Sequence, residues 1–375
     1  MIRWILRTTA FYSDGVCYKN KDIIIENGRI SDIRDNAKDE EAGDLSGFIV
    51  LPGFIDIHVH GGNGFDTMDG TYNAINTISV HKLKEGVTAF CPTTLTARRE
   101  RMIKAIDAIR VSMKRGVAGA KVLGGFLEGP YISTKYAGAH PTEHIKKLSI
   151  SEASQLLELG QGCIKSIAVA PELLHAIDFI GHMKQLNVNV RIGHSNASYE
   201  EATAAIECGA NTIIHTFNAM SPFTHRNPGM VGAALENDKV YAELICDFVH
   251  THRAAAKILF LAKGPEKIIL VSDAMRATGM PDGKYMLGEL STTVIDGTAR
   301  TESGSIAGST LTILQAVKNM VSLGASFEDI SLMACSNPAK AIGEFKNIGS
   351  IEIGKSADII ALDRDLNLQF CLVGE

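Results

Sequence analysis

The run Leu51-Pro52-Gly53-Phe54-Ile55-Asp56-Ile57-His58-Val59-His60-Gly61-Gly62 decides how this chain is read. Its apolar centre predicts a buried strand. In an extended strand the side chains alternate, so His58 and His60 point to one face. Two neutral imidazoles on one face suit a borderline metal such as zinc, iron or manganese. The glycines that follow end the strand and let backbone come close to whatever sits there. A lone His-x-His also describes two partly exposed strand histidines. What separates the two readings is whether later strands end in the same way.

They do. Apolar, strand-like runs recur near 53–60, 87–92, 121–128, 166–170, 188–194, 211–217, 241–247 and 267–273. Amphipathic, helix-like stretches separate most of them, among them 71–85, 172–186, 198–208, 254–263 and 309–323. Eight strands alternating with helices predict an α/β fold, a parallel (β/α)8 TIM-type barrel. A doubly wound open sheet is the competing fold, but it would normally have fewer strands. Glu128 ends the third run, His194 the fifth, His215 the sixth and Asp273 the eighth. Strand ends of a barrel converge on one face, where catalytic residues gather. Taken singly, each of these is also a solvated loop residue or a helix cap, and Asp273 before Ala274-Met275 reads as an N-cap. Jointly, four histidines and two carboxylates form a metal centre with a spare base.

The two ends of the chain read differently. Residues 22–33 are two apolar runs flanking Asn27-Gly28, a hairpin signal. The tail from Gly349 to Asp363 places Ile351, Ile353, Ile359 and Ile360 around the turn Gly354-Lys355-Ser356. Neither end has enough strands to bury a core alone. Together they are expected to make one small β-sandwich domain from residues 1–50 plus 345–375, with the catalytic barrel over 51–344.

Composition narrows the function. The net charge is −5 with no basic run, which argues against nucleic acid as a partner. No apolar stretch reaches membrane-spanning length and the N-terminus lacks a signal-peptide pattern, so a soluble, cytoplasmic protein with no membrane partner is expected. Seven cysteines, none spaced Cys-x-x-Cys, sit mainly in apolar segments (Cys91, Cys208, Cys246) and read as buried thiols. His81, His144, His175 and His182 fall on helices or loops and read as surface residues.

These motifs are similar to those of the N-acetylglucosamine-6-phosphate deacetylases, within the metal-dependent amidohydrolase superfamily. The likeness rests on 51–62, 127–131 with Gly138-Ala139-His140, 193–196, 215–226 with Asn227-Pro228-Gly229, 247–250, 272–279 and 349–358. It implies that Glu128, His194 and His215 bind the principal metal. Some relatives have Gln and Asn in place of the His-x-His pair and use one metal. Because His58 and His60 are kept here, a second metal is expected, with Glu128 bridging. The cofactor would be one or two divalent ions per chain, of zinc, iron, manganese or cobalt.

The resemblance further implies hydrolytic deacetylation of a phosphorylated amino sugar, with Asp273 as the base that takes a proton from water and hands it to the departing amine. His140 or His250 would polarise the acetyl carbonyl, and His252 competes with His250 for the second position. Arg226, with a guanidinium fork matched to phosphate, would contact the 6-phosphate across a homodimer interface. Asn218 and Ala219 would hold the sugar phosphate, Ala139 would sit beside it, and Ile306-Ala307-Gly308, read as opening a helix, would line the acetyl pocket. Relatives often carry Lys where this chain has Ala137. Competing functions are the N-acetylgalactosamine-6-phosphate deacetylase, a dihydroorotase-like or hydantoinase-like cyclic amidase, and a catalytically dead scaffold. The cyclic amidases favour a carboxylated lysine bridge, and no lysine here ends a barrel strand in that role.

Overall fold

A computed structural model describes residues 3–37 and 42–375, so residues 1–2 and 38–41 of the expected small domain lie outside the described residues. The first barrel strand, β1 (Phe54–Val59), is buried at every residue, as is β2 (Val87–Thr94). Continuous burial of this kind marks a parallel strand covered on both faces. The ring continues through β3 (Gly125–Leu127), β4 (Ile164–Val169), β5 (Asn189–Ile192), β6 (Thr212–Ile213), β7 (Tyr241–Leu244) and β8 (Ile268–Leu270), each paired in parallel with the next. A parallel bridge between Val59 and Ala274 closes it, reinforced where Asp273 N–H donates to the His58 carbonyl at 3.0 Å. The (β/α)8 barrel expected from the alternation is the observed fold.

Among the described residues, eight helices of eight residues or more cover the barrel: α1 (Tyr72–Leu83), α2 (Arg99–Arg115), α3 (Ile150–Gly160), α4 (Ala176–Gln185), α5 (Tyr199–Cys208), α6 (Gly229–Glu236), α7 (Arg253–Lys263) and α8 (Ile313–Ser322). Local chemistry sets their ends. Ser198 and Glu201 form a reciprocal capping box at the start of α5, and Thr71 caps α1 by accepting from Ala74 N–H. On α2 the buried residues Met102, Ala105, Ile106 and Ile109 follow the i, i+3, i+4, i+7 spacing of a core-facing stripe.

Both ends of the chain join in a mixed seven-stranded sheet, the small β-sandwich, around its own core of Phe11, Ile23, Ile30, Val50 and Ile359. The Asn27-Gly28 hairpin forms as expected, with Glu26 opposite Arg29. The tail departs from expectation: Ile351 and Ile353 form no strand, and Ile353 is 62 % exposed. The turn at 354–356 instead docks on the hairpin, where Ile30 and Gly354–Lys355 exchange backbone hydrogen bonds of 2.8 and 2.9 Å. The pairing strand of the tail is Ile359–Leu362, antiparallel to Ile49–Pro52 on one side and Leu368–Leu372 on the other.

The chain passes from this sheet straight into β1 through Gly53. A Cβ there would lie 2.1 Å from Thr88 Oγ1, so only glycine fits between the two sheets. Gly61, past the other end of β1, is pressed against protein backbone in the same way: a Cβ would lie 2.3 Å from the Phe65 carbonyl oxygen. A three-stranded antiparallel sheet, Gly283–Leu287, Leu290–Ile295 and Thr298–Thr301, follows β8 and was not anticipated. It stands beside the C-terminal mouth of the barrel, to which it contributes Leu287.

Candidate active site

The barrel turns the ends of β1, β3, β5, β6 and β8 toward one point, and Glu128 occupies it. Its Oε1 lies 3.2 Å from His194 Nε2, 3.2 Å from His215 Nε2 and 3.4 Å from His58 Nε2. Its Oε2 lies 3.0 Å from His60 Nε2 and 3.4 Å from His140 Nε2. Asp273 Oδ1 completes the group, 3.3 Å from His60 Nε2 and 3.6 Å from His58 Nε2. All of these side chains are buried or nearly so. His194, His215 and Asp273 hold left-handed backbone, with φ of 44°, 30° and 50°. Such strain costs on the order of 1–3 kcal/mol per residue and persists where function requires the orientation.

The outward nitrogens of these imidazoles are spoken for by the protein. His194 donates from Nδ1 to the Tyr136 carbonyl oxygen at 2.8 Å, and His215 from Nδ1 to the Asn218 carbonyl oxygen at 3.2 Å. A carbonyl can only accept, so in the neutral rings the lone pairs sit on Nε2 and point inward. Those two Nε2 atoms are 3.1 Å apart. Two lone pairs and a carboxylate at that spacing repel one another unless positive charge lies among them. His58 Nε2 is likewise buried without a hydrogen-bond partner among the described residues. Imidazole and carboxylate donors of this kind fit zinc, iron, manganese or cobalt. Two groups of residues can each hold a divalent ion, consistent with one or two per chain: Glu128, His194 and His215, and His58, His60 and Asp273.

The centre draws positive charge: burial alone would lower His58 and His60, but the neighbouring carboxylates raise His58 well above its ordinary value and His60 to about 9. Burial alone would raise the Glu128 carboxyl, but the surrounding imidazoles, His58 foremost, hold it well below the usual carboxylate range. Asp273 is raised by burial and lowered further by His58 and His60, to about 2, so it is ionised at neutral pH. It does not cap a helix: Ala274, which follows it, bridges Val59 and Ser309.

His140 differs from the inner imidazoles. Thr96 N–H donates to its Nδ1 at 3.3 Å and Thr96 Oγ1 lies 2.8 Å from the same atom. A backbone N–H can only donate, so His140 Nδ1 is the acceptor and Nε2 carries the proton into the site. Burial first, and the neighbouring His194 second, push this imidazole down to about 4, so it is neutral. His250 has the opposite arrangement, with Nδ1 donating to Asp247 Oδ2 at 2.6 Å. Burial raises the Asp247 carboxyl, and its bond to His250 brings it below its usual value. His252 is exposed and caps α7 by accepting from Ala254 N–H.

Above this centre lies a cavity of about 390 Å³, in the range of small-ligand pockets. His60, Glu128, Ala139, His140, His194, His215, Asn218, Ala219, His250, Asp273, Ile306 and Gly308 line it, while His58 lies beneath it. The structure does not bring Arg226 there: it sits on an exposed loop of its own chain. The segment 306–308 does not open a helix, since α8 starts after Thr312. Ala307 is fully buried and its N–H is taken by the Ala299 carbonyl, so it offers no amide to a ligand. His81 and His144 are only partly exposed: His81 lies 3.0 Å from Glu85, and His144 lies 3.4 Å from Glu289.

Sequence reading missed four contributors. Lys135 lines the cavity, the one Lys or Arg to do so among the described residues, with Nζ 2.8 Å from Asn196 Oδ1. Thr96 sets the His140 proton. Glu243 and Arg191 form a fully buried pair beneath the centre, 3.0 Å apart. Of these only Lys135 left a signal, as a cation two residues from the position where relatives carry one.

The amidohydrolase family pattern matches residues 49–373. The chain is 40% identical over 347 residues to an N-acetylglucosamine-6-phosphate deacetylase of Vibrio furnissii, covering 92% of this chain and 87% of that one. It is 41% identical over 322 residues to an N-acetylgalactosamine-6-phosphate deacetylase of Escherichia coli O157:H7, covering 86% and 85%. A solved structure of a mutant N-acetyl-D-glucosamine-6-phosphate deacetylase from Mycobacterium smegmatis, in complex with N-acetyl-D-glucosamine-6-phosphate, superposes with a TM-score of 0.94. It is 30% identical and covers 100% of this chain and 99% of that one. The barrel, the converging ligand set and these matches along nearly the whole length lead to one assignment: the chain belongs to the amidohydrolase family.

Proposed function

We infer that this chain hydrolyses the N-acetyl amide of N-acetylglucosamine-6-phosphate, giving glucosamine-6-phosphate and acetate. The observation that carries the reading is the placement of Glu128, with five imidazoles within 3.4 Å, at the floor of a cavity that also holds an ionised Asp273. Glu128, His194 and His215 would hold the principal ion, and His58, His60 and Asp273 a second. A bound divalent ion supplies Lewis acidity toward the amide carbonyl and lowers the pKa of nearby water. Asp273 accepts the proton of the attacking water and returns it to the amine, because a neutral amine leaves far more readily than an amide anion. His140 donates its Nε2 proton to the acetyl oxygen as charge develops there. This assigns the role to His140 rather than to His250, whose proton faces Asp247.

For the 6-phosphate, Lys135 on the wall of the same chain's cavity would supply the cation, with Asn218, Ala219 and His250 lining the same cavity. Arg226 would arrive from a second copy in a homodimer. Its loop carries Phe223, 55 % exposed, as an apolar contact for a partner. The catalytic unit is assigned to 51–344, and the small β-domain to 1–50 plus 345–375. A cytoplasmic setting is part of the proposal, supported by seven free thiols, four of them buried. No described helix is long and apolar enough to cross a membrane.

The test is turnover on phosphorylated and unphosphorylated N-acetyl hexosamines, scoring free amine. Metal-loaded protein should deacetylate the gluco 6-phosphate and lose activity on prolonged chelation. Preference for the galacto epimer would move the substrate assignment, and full activity in verified metal-free protein would overturn the mechanism.

A further inference from the structure

We propose that Glu243 is a positioning residue that commits His58 to metal binding, and that Arg191 is what makes a carboxylate indispensable there. The inference rests on reading the centre as a metal site. Within the group His58, His60 and Asp273, the two histidines are held unequally. His60 Nδ1 is buried with no hydrogen-bond partner among the described residues, so the protein does not fix its proton. His58 is fixed. Its Nδ1 lies 2.9 Å from Glu243 Oε2, and its ring sits edge-on to Phe126 with centroids 5.0 Å apart. An ionised carboxylate can only accept, so His58 carries its proton on Nδ1 and presents the Nε2 lone pair toward Glu128 and Asp273.

Glu243 reaches His58 from β7, two strands round the ring from β1 by way of β8, and is held there by Arg191 of β5. Arg191 Nη1 donates to Glu243 Oε1 at 3.0 Å and to the Ile57 carbonyl at 3.0 Å, while Nη2 donates to Ser166 Oγ at 3.0 Å. The guanidinium lies over the Phe126 ring, 4.1 Å from its centroid. One cation therefore ties β1, β4 and β7 together and orients the carboxylate. The second oxygen of Glu243 also accepts from His215 N–H at 3.3 Å.

The chemistry makes a sharp forecast for Glu243→Gln, which preserves shape. Arg191 has only donors, so it takes the amide oxygen. The NH2 then faces His58 Nδ1, which must become the acceptor, and the His58 proton moves to Nε2, where a metal ligand needs a lone pair. Removing such supporting partners commonly costs about 10–100-fold in metal affinity.

The experiment is metal stoichiometry and affinity by equilibrium dialysis against zinc, with elemental analysis, so that it does not depend on which sugar is the substrate. Wild type is expected to take up two ions and Glu243→Gln to keep one, the other binding about 10–100-fold more weakly. Adding Arg191→Met to Glu243→Gln frees the amide to turn its oxygen toward His58 and is expected to recover the second ion, a rescue that a merely structural role would not give. Unchanged affinity in Glu243→Gln, loss of both ions from a folded Glu243→Gln, no rescue in a folded double variant, or a wild type that takes up at most one ion would each overturn the proposal. Should the variants not fold, nitrogen-15 NMR of histidine-labelled wild type decides. In the zinc-loaded protein the His58 resonance, assigned by its loss in His58→Ala, is expected to show a proton on Nδ1 alone, and a proton on Nε2, with or without one on Nδ1, would refute the idea.

Discussion

Replacing Lys82 by Met is expected to lower the melting temperature by about 5 °C at pH 8. Lys82 sits on α1 with its side chain fully buried at the seam where β1 meets β8 and the ring closes through an isolated bridge. Its Nζ lies 3.2 Å from Asp56 Oδ2, 3.1 Å from Glu85 Oε2 and 3.2 Å from Ser272 Oγ. Asp56 in turn accepts from Ser272 N–H at 3.2 Å and from its hydroxyl at 2.5 Å, so this cation lies behind both His58 and Asp273. Burial disfavours the charge on Lys82, but Glu85 and Asp56 more than offset it. Taking away one partner of a buried ion pair costs about 3–5 kcal/mol. Unfolding entropy of roughly 2.1 cal/mol/K per residue over 375 residues is about 0.8 kcal/mol/K, so ~4 kcal/mol corresponds to ~5 °C. The deficit has a pH signature. Burial already raises Asp56 above its ordinary value despite Lys82, and without the cation it rises further. The folded variant then binds more protons than the unfolded chain, and its stability falls as pH climbs through the raised value. Thermal melts of both proteins at pH 5 and pH 8 check this. A drop below 1 °C at pH 8, or an equal drop at both pH values, would refute the reasoning.

Asp273→Asn is expected to reduce kcat by ~10²–10⁴-fold, the usual share of general acid–base catalysis, while elemental analysis still finds the ion held by Glu128, His194 and His215. His140→Leu should cost ~10²–10³-fold in kcat, as loss of an oxyanion donor does, and His140→Gln, which keeps an N–H, should cost less; equal losses would mean that donation is not its role. Lys135→Met should raise KM for the 6-phosphate substrate about tenfold or more, the usual loss with a hydrogen bond to a charged group, and leave the unphosphorylated sugar unchanged. Arg226→Ala should do the same. Mixing it with Asp273→Asn should restore part of the activity in hybrid dimers, and no recovery after demonstrated subunit exchange would place Arg226 outside the neighbouring site.

The barrel was legible because its strands are almost entirely buried and most end in chemistry-bearing residues; periodicity and strand-end placement are local properties of a sequence. The three-stranded sheet after β8 was not legible for the converse reason. Gly283–Leu287 alternates exposed and partly buried residues and mixes Gly, Lys and Tyr, so it resembles a loop until Leu290–Ile295 pairs with it. Residues 306–308 look like a helix start because Gly and Ser favour such positions, yet the cap that wins is Thr312, which accepts from Gln315 N–H. The His-x-His, Glu128, His194, His215 and Asp273 were readable one strand at a time. Arg191 and Glu243 were not. Each is a charged residue on an apolar strand, and what makes them useful is a partner 52 positions away across the barrel interior.

That difference follows the division of labour within the site. The residues that would hold the ion stand at strand ends, so topology announces them. Residues that decide which imidazole nitrogen carries the proton act from behind: the Tyr136 and Asn218 carbonyls for His194 and His215, Glu243 for His58, Thr96 for His140, Asp247 for His250. The first three are acceptors and turn a lone pair inward, which suits a ligand. Thr96 is a donor and turns a proton inward, which suits a group that must stabilise a developing oxyanion. Five chemically identical side chains thus meet different hydrogen-bond partners, which no local pattern marks. A backbone carbonyl is invisible to composition, because every residue has one. Only the fold brings it within reach of an imidazole, so the roles of these histidines are a property of the closed barrel and not of the motifs that carry them.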